Sequence, residues 1–219
     1  MPSSWKVEFH CHTQYSRDSL TSIQHLIATA RQRGLDRLVV TDHNTIRGAL
    51  EAKKADPELI IVGEEILTRK GELLAAFVQE EIPPFLPPRE AIRRLREQGA
   101  FISVSHPFDL RRNGWQLPDL LDILPLVDAI ETFNARCVNM QNNRDAEEFA
   151  REHNIPGTVG SDAHAWFEIG RAVLHLPPFD SAEDLRRVMA AGRAQVVLSS
   201  PFVHLTSTYA KLVRRYLSP

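Results

Sequence analysis

At 219 residues, 43% hydrophobic and 25% charged, the chain is long enough to bury one sizeable core, which excludes disorder and a fibrous repeat. With 26 Lys and Arg against 28 Asp and Glu, the net charge is -2, so no global basic surplus points to non-specific nucleic-acid binding, although a local basic groove stays compatible with it. Apolar runs such as residues 73–78 fall far short of the ~20 residues that cross a bilayer, and residues 1–10 lack a signal peptide's apolar stretch, which predicts a cytoplasmic protein.

Hydrophobic periodicity predicts strand–loop–helix units along one domain, residues 1–219. A strand at 6–10 leads to a helix at 19–34, where Ile23, Leu26, Ile27 and Ala30 share a face, with Ser19 or Thr21 as its cap and Gly34 at its end. A strand at 35–43 turns polar at its last residues and is followed by a helix near 46–55. Strands at 58–65 and 73–79 come next, then a rigid loop marked by Pro83, Pro84, Pro87 and Pro88, and a helix at 89–99 with Arg93, Arg94 and Arg96 on its solvated face. The alternation continues with a strand at 100–106, a helix at 117–124, a strand at 127–134, a helix at 143–154 and a strand within 157–164. A helix at 181–192, a strand at 195–200 and a helix near 209–217 complete it.

Such units predict a parallel sheet covered by helices, open or closed. His10, Asp42, His43, Glu65, His106, Asn134, Asp162 and His164 lie at or just past strand C-terminal ends. A closed barrel gathers those ends into one ring-shaped site, whereas an open sheet spreads them. A full eight-unit barrel takes ~250 residues, so a compact or incomplete barrel suits this length.

Within that ring, His10-Cys11-His12 puts two imidazoles on one face of an extended segment, and Asp162-Ala163-His164 does the same with a carboxylate and an imidazole. Asp42-His43 pairs the two groups at another strand end, and Glu64-Glu65 offers one carboxylate to the barrel. Cys11 and Cys137 form neither a disulfide framework nor a C-x-x-C pair, and Cys11 reads as a small buried side chain. Carboxylate and imidazole without thiolate suit Zn, Mn or Fe, and the donors are too many for one ion. Two or three ions sharing a carboxylate, at ~3.5–4 Å spacings, would serve an in-line phosphoryl displacement. His25, His153, His175 and His204 have no such context.

Together, H-C-H at 10–12, Asp18, T-D-H-N at 41–44, G-E-E-I at 63–66, S-H-P-F-D at 105–109, E-T-F-N at 131–134 and G-S-D-A-H at 160–164 resemble the motif set of the PHP (polymerase and histidinol phosphatase) domain, from about Val7 to Gly170. The resemblance implies a distorted seven-stranded βα barrel of α/β class, similar to a TIM barrel, with metal-dependent phosphoester hydrolysis as its activity. It implies that His10, His12, Glu65 and Asp162 hold one metal, that Glu65 bridges to a second with His106, and that Asp18, His43 and His164 hold a third. Where family members often carry two further histidines, this chain has Glu72 and Asn134. Glu64 or Glu72 can compensate at the second metal, and Glu65 takes the last position of the family's G-x-E.

For the substrate, Arg111, Arg112 and Arg136 follow strands that end in site residues, and Arg171 follows the D-x-H loop, so a guanidinium can grip phosphate. The expected enzyme is a metal-dependent phosphoesterase in which a metal-bound hydroxide attacks phosphorus, with Asp162 or His43 managing protons. Its substrate is a small phosphorylated compound, a nucleotide or an oligonucleotide end, with no membrane and no obligate protein partner. Two alternatives stand beside it. One is a C–N hydrolase of the amidohydrolase type, which shares H-x-H and a late Asp but often carries a bridging lysine that these strand ends lack. The other is a non-catalytic PHP-like binding module.

Overall fold

Among residues 4–217, which the computed structural model of the chain describes, nine strands and seven α-helices follow one another. They are β1 (Trp5–Glu8), α1 (Ile23–Gln32), β2 (Arg37–Val40), α2 (Arg47–Ala55), β3 (Ile60–Leu67), β4 (Glu72–Ala76), α3 (Pro88–Glu97) and β5 (Phe101–Val104). Then come α4 (Leu117–Ile123), β6 (Ala129–Asn134), α5 (Met140–Glu152), β7 (Gly157–Gly160), β8 (Ala172–Leu176), α6 (Ala182–Val188), β9 (Arg193–Val196) and α7 (Val203–Leu217). The strand order is β7-β6-β5-β4-β3-β2-β1-β8-β9.

The first seven strands close on themselves just beyond the ends of β1 and β7. Cys11 and Ala163 form a parallel bridge there, the His12 amide donates to the Ala163 carbonyl (2.9 Å), and the Asp162 amide donates to the His10 carbonyl (2.8 Å). The result is the expected distorted seven-stranded barrel, to which β8 and β9 add an antiparallel extension along the other half of β1. The sheet is mixed, which corrects the expectation of a parallel one. β4 runs antiparallel to both β3 and β5, because the turn between Leu67 and Glu72 is too short for a parallel crossover, which needs a dozen or more residues.

Side chains from all seven barrel strands, Val7, Val39, Ile61, Ala76, Phe101, Ala129 and Val159 among them, meet in one apolar cluster, which is the barrel interior. Their strand neighbours Leu38, Val40 and Ile60 instead pack with Ile23, Leu26 and Ala30 of α1 and Ala49 and Ala52 of α2, so period-two alternation separates the interior from the helical coat. A second outer cluster joins Leu73, Ile102 and Ile130 to Leu95 of α3 and to Trp115.

Several boundaries differ from the sequence expectation. Ser22 caps α1 by accepting from the His25 amide (3.3 Å), while Ser19 and Thr21 spend their hydroxyls on the carbonyls of His12 (3.4 Å) and His164 (3.3 Å), tying this loop to the barrel mouth. β8 was not anticipated, β9 lies earlier than the expected 195–200 strand, and α7 starts before Tyr209. No helix among the described residues is long and apolar enough to cross a membrane.

Candidate metal centre

Past the strand ends, the chain turns each site residue into one space. Glu65 sits at its middle, buried. Its Oε1 lies 3.4 Å from His10 Nε2 and 3.3 Å from His106 Nε2, and its Oε2 lies 3.4 Å from His12 Nε2 and 2.9 Å from His43 Nδ1. Asp162 Oδ1 is 3.6 Å from His10 Nε2, 3.3 Å from His12 Nε2 and 3.3 Å from His164 Nδ1. Asp18 Oδ1 bridges His43 Nε2 (3.5 Å) and His164 Nε2 (3.2 Å), and Glu72 Oε2 is 3.3 Å from His106 Nε2. Donor atoms close enough to share an ion occur in three overlapping sets: His10, His12 and Asp162; His12, His43 and His164; and His43, Glu65 and Glu72.

Local backbone explains the convergence. Asn44, His106 and Asp162 adopt left-handed conformations (φ 53°, 22° and 53°), each reversing the chain where a strand gives way to its loop. Strict strand alternation therefore is not what aligns Asp162 with His164; the left-handed turn does it. Two glycines admit close approaches: a Cβ on Gly160 would come 2.3 Å from His10 Cβ, and one on Gly48 would come 2.1 Å from Asp42 Oδ2.

Three histidines have their rings set by acceptors behind them. His10 Nδ1 meets Glu131 Oε1 at 2.9 Å, and His164 Nδ1 meets the Asp162 carbonyl at 2.8 Å. His12 Nδ1 meets Ser16 Oγ at 3.0 Å, and the Ser16 hydroxyl itself donates to Asp42 Oδ1 at 2.6 Å, so Ser16 is left to accept from His12. A proton on Nδ1 in each leaves the Nε2 lone pair aimed at the shared space, and His10 Nε2 and His12 Nε2 face each other only 3.1 Å apart. Asp18 Oδ1, Glu65 Oε2 and His106 Nδ1 are buried with no hydrogen-bond partner among the described residues. Imidazole nitrogens and carboxylate oxygens buried together and converging on one space, a borderline-hard donor set, fit divalent cations.

The buried charges also shift one another. Burial disfavours ionisation of His10, but Glu65, Glu131 and Asp162 outweigh it and hold that imidazole well above its ordinary pKa. His12, buried beside His164 and His43, is pushed down to about 3. Burial works against the Glu65 and Asp162 carboxylates too, yet the neighbouring imidazoles, with Arg112 at Asp162, keep both well below the usual range. Glu72, buried next to Glu65, is raised to about 7.

The centre forms the floor of a cavity of about 730 Å³ whose wall includes Arg17, Arg111, Arg112 and Lys211. Arg112 donates through Nε to Asp109 Oδ2 (2.9 Å) and through its terminal nitrogens to Asp162 Oδ2 and to Asn134 Oδ1 (3.2 Å). Asn134 sits behind Asp162, donating to Glu131 Oε2 (3.0 Å) and Asp162 Oδ2 (3.2 Å). Arg136 reaches the cavity wall, but its guanidinium is committed to the Val203 carbonyl (3.0 Å) and Ser207 Oγ (2.9 Å) of α7, with Glu168 Oε1 3.4 Å from Nε. Arg171 is not brought to the cavity; it donates to the Leu198 carbonyl (2.9 Å). Glu64 faces away, accepting from the Ile82 amide (3.0 Å).

Glu131, Ser16, Ser105 and Glu168 join the site beyond the residues that the sequence pattern singles out. Ser105 donates to Glu65 Oε1 (2.7 Å), and Glu168 accepts the amides of His164 (3.1 Å) and Ala165 (3.0 Å). Glu131 carried a signal, two residues inside the strand that ends at Asn134, whereas the serines carried none. His204 also lines the cavity, bonded to the Arg136 carbonyl (3.1 Å), which corrects its reading as a residue without site context.

A mixed seven-stranded barrel with imidazoles and carboxylates crowded at its C-terminal mouth defines the class of metal-dependent hydrolases. The chain belongs to the PHP domain family: residues 8–81 match the PHP domain and residues 141–194 the PHP-associated region. It is 34% identical to MJ1587 of Methanocaldococcus jannaschii over 59% of this chain and 82% of that one, and 35% identical to MJ0417 of the same organism over 77% and 69%. Among solved structures, PsfC from Pseudomonas syringae PB-5123 superposes with a TM-score of 0.71 at 17% identity, covering 96% of this chain and 98% of that one. Endonuclease Q in complex with a 27-mer duplex bearing an abasic lesion gives a TM-score of 0.65 at 16% identity, over 91% of this chain and 60% of that longer one. An amidohydrolase from Chromobacterium violaceum gives 0.58 at 14% identity, over 92% and 96%. At these identities the likeness is one of fold.

Proposed function

We propose that the chain hydrolyses a phosphomonoester or phosphodiester, of a small phosphorylated compound, a nucleotide or an oligonucleotide end, in a centre of two or three Zn, Mn or Fe ions. The observation that carries this reading is the division of Asp162: Oδ1 faces the imidazoles, and Oδ2 takes the Arg112 guanidinium, which fixes a planar cation beside the ligand set on the cavity wall. His10, His12, Glu65 and Asp162 would hold one ion, His106 and Glu72 a second with Glu65 shared, and Asp18, His43 and His164 a third. Bound there, the ions supply Lewis acidity and a nucleophile from water.

The chain's own residues do the rest. Arg112, with Arg111 beside it, receives the non-bridging oxygens and the charge that grows on them. Asn134 holds both Arg112 and Asp162 in register. His43 is half-buried at the cavity wall, and together with Asp162 it holds or moves the proton passed from water to the leaving oxygen. Endonuclease Q acts on DNA within the same fold, which supports a phosphodiester among the candidates.

The test is a hydrolysis screen of the Mn-, Zn- and Fe-reconstituted chain over phosphomonoesters, phosphodiesters and cyclic amides, with metal content measured in parallel. Phosphoester turnover with more than one ion per chain is expected. Turnover confined to the amides overturns the reading in favour of C–N hydrolysis, and bound metal without turnover of any class overturns it in favour of a binding module.

A further inference from the structure

Beside the metal cavity runs a second groove of about 490 Å³, and His164 lines both. Its walls are Leu20 from the loop before α1, Trp166 and Phe167 from the turn after β7, and Leu205 and Tyr209 from α7, with His25 at the rim. Trp166 is 50% exposed, Leu205 64% and Tyr209 61%, so large apolar surface stands open to solvent next to the ligand cluster. Single exposed apolar residues are ordinary, whereas a set converging on one groove marks a binding surface. The volume falls within the ~300–1,000 Å³ of small-ligand sites.

Two features define the occupant. Charge is divided: the metal-cavity side carries the candidate ligand carboxylates together with Arg17, Arg111, Arg112 and Lys211, the last 3.3 Å from Asp18 Oδ2, while among the described residues no Asp, Glu, Lys or Arg lines the groove. A ligand spanning both therefore has an anionic end and an uncharged end. The groove's lining is rich in rings: Phe167 meets Trp166 edge-on at 5.6 Å, and the His25 ring lies 6.5 Å from Trp166. The hydroxyls of Thr21 and Thr206 donate to the His164 and Val203 carbonyls (3.3 and 2.6 Å), which leaves their oxygens to accept from the N–H edge of a heteroaromatic ring, a contact an aliphatic tail would not make.

We propose that this groove is a nucleobase subsite, with Trp166 and Tyr209 as stacking surfaces for the base of a nucleotide whose phosphate lies over the metal centre. The proposal rests on the phosphoester reading and narrows it to nucleotides. Stacking on an aromatic side chain tolerates every base, so the subsite selects for a base without selecting which one.

The test pairs thymidine 5′-phosphate and its methyl diester with the same two esters of 2-deoxyribose 5-phosphate, using the full Mn-loaded chain. Calorimetry with the hydrolysis-resistant phosphonates of both sugars reads binding apart from turnover. The base is expected to tighten binding and lower KM about 10-fold. Trp166→Ala and Tyr209→Ala should each bring the two series toward parity through KM, with kcat held and the base-free esters unaffected, while Trp166→Phe keeps most of the preference. A preference that is absent, or that survives both alanine variants, overturns the subsite. Hydrolysis of both series without a preference refutes the groove and keeps the phosphoesterase; base-dependent binding without hydrolysis of either upholds the groove and refutes the phosphoesterase.

Discussion

Glu64 and Glu65 are adjacent and both buried, yet their surroundings are opposite: Glu65 has four imidazole neighbours, His10, His12, His43 and His106, while Glu64 accepts the Ile82 amide. Glu65→Gln is expected to reduce the occupancy of more than one ion, read by metal analysis, because a neutral amide would replace the anion proposed to be shared, whereas Glu64→Gln leaves metal content unchanged. Burial raises Glu64 to about 8 from an ordinary 4.5, against the pull of the Ile82 amide. A carboxyl raised in the folded state contributes stability that is complete below about 4.5 and is lost as pH rises through about 8. Glu64→Gln should therefore match the parent in thermal unfolding at pH 4 and exceed it at pH 9, by on the order of 2–4 kcal/mol. Equal stability at both pH values would refute the buried, protonated Glu64. Behind His10, Glu131→Gln removes the anion that sets the ring, and metal affinity should fall roughly 10–100-fold, measured by competition with a chromogenic chelator. Arg112→Ala should lower turnover by about 100-fold while metal content holds, and Arg112→Lys should recover only part, since a point charge lacks the planar fork.

At the scale of elements, what the sequence made legible and what it hid have separate physical causes. The strands ending at His10, His43, Glu65, His106 and Asn134 are readable because an apolar run stopping at a polar residue marks a barrel mouth, where these residues gather. β8 escaped because its function is to pair with the free half of β1, a long-range relation that five apolar residues do not announce. The direction of β4 was written only in the length of a turn. α7 was foreseen as a terminal helix, but not as a wall of the site. One attachment runs through Arg136, which joins Val203 and Ser207 to Glu168, and Glu168 in turn holds the His164 amide; others run from Lys211 to Asp18 and from Arg214 to the Ser19 carbonyl. The expected phosphate contact of Arg136 thus competes with a structural duty. Arg136→Ala leaves the buried Glu168 without its partner and should cost on the order of 3 kcal/mol, with α7 becoming protease-sensitive; Arg136→Met, which keeps the stem, should cost less. Unchanged proteolysis of α7 in both variants would show that this helix is held by other contacts.

For the whole molecule, the metal centre and the barrel's closure are made by the same residues. Chelation should lower the unfolding midpoint, since ions that bind only the folded state stabilise it by mass action; at a hundredfold excess over Kd this is ~2.7 kcal/mol per ion, or roughly 5–10 °C for a chain of this size. An unchanged midpoint after verified metal removal would separate the centre from the fold. The seam itself is short. It consists of the Cys11–Ala163 bridge and two backbone hydrogen bonds, donated by the His12 and Asp162 amides, and it joins the end of the first strand to a segment about 150 residues later. During synthesis, β1 through β6 emerge before either of β1's later neighbours exists, so a nascent chain halted there exposes an unpaired edge on β1 and another on β6. Such a chain has templates for intermolecular strand pairing that the finished barrel lacks, and its safe passage off the ribosome depends on how soon residues 157–176 follow.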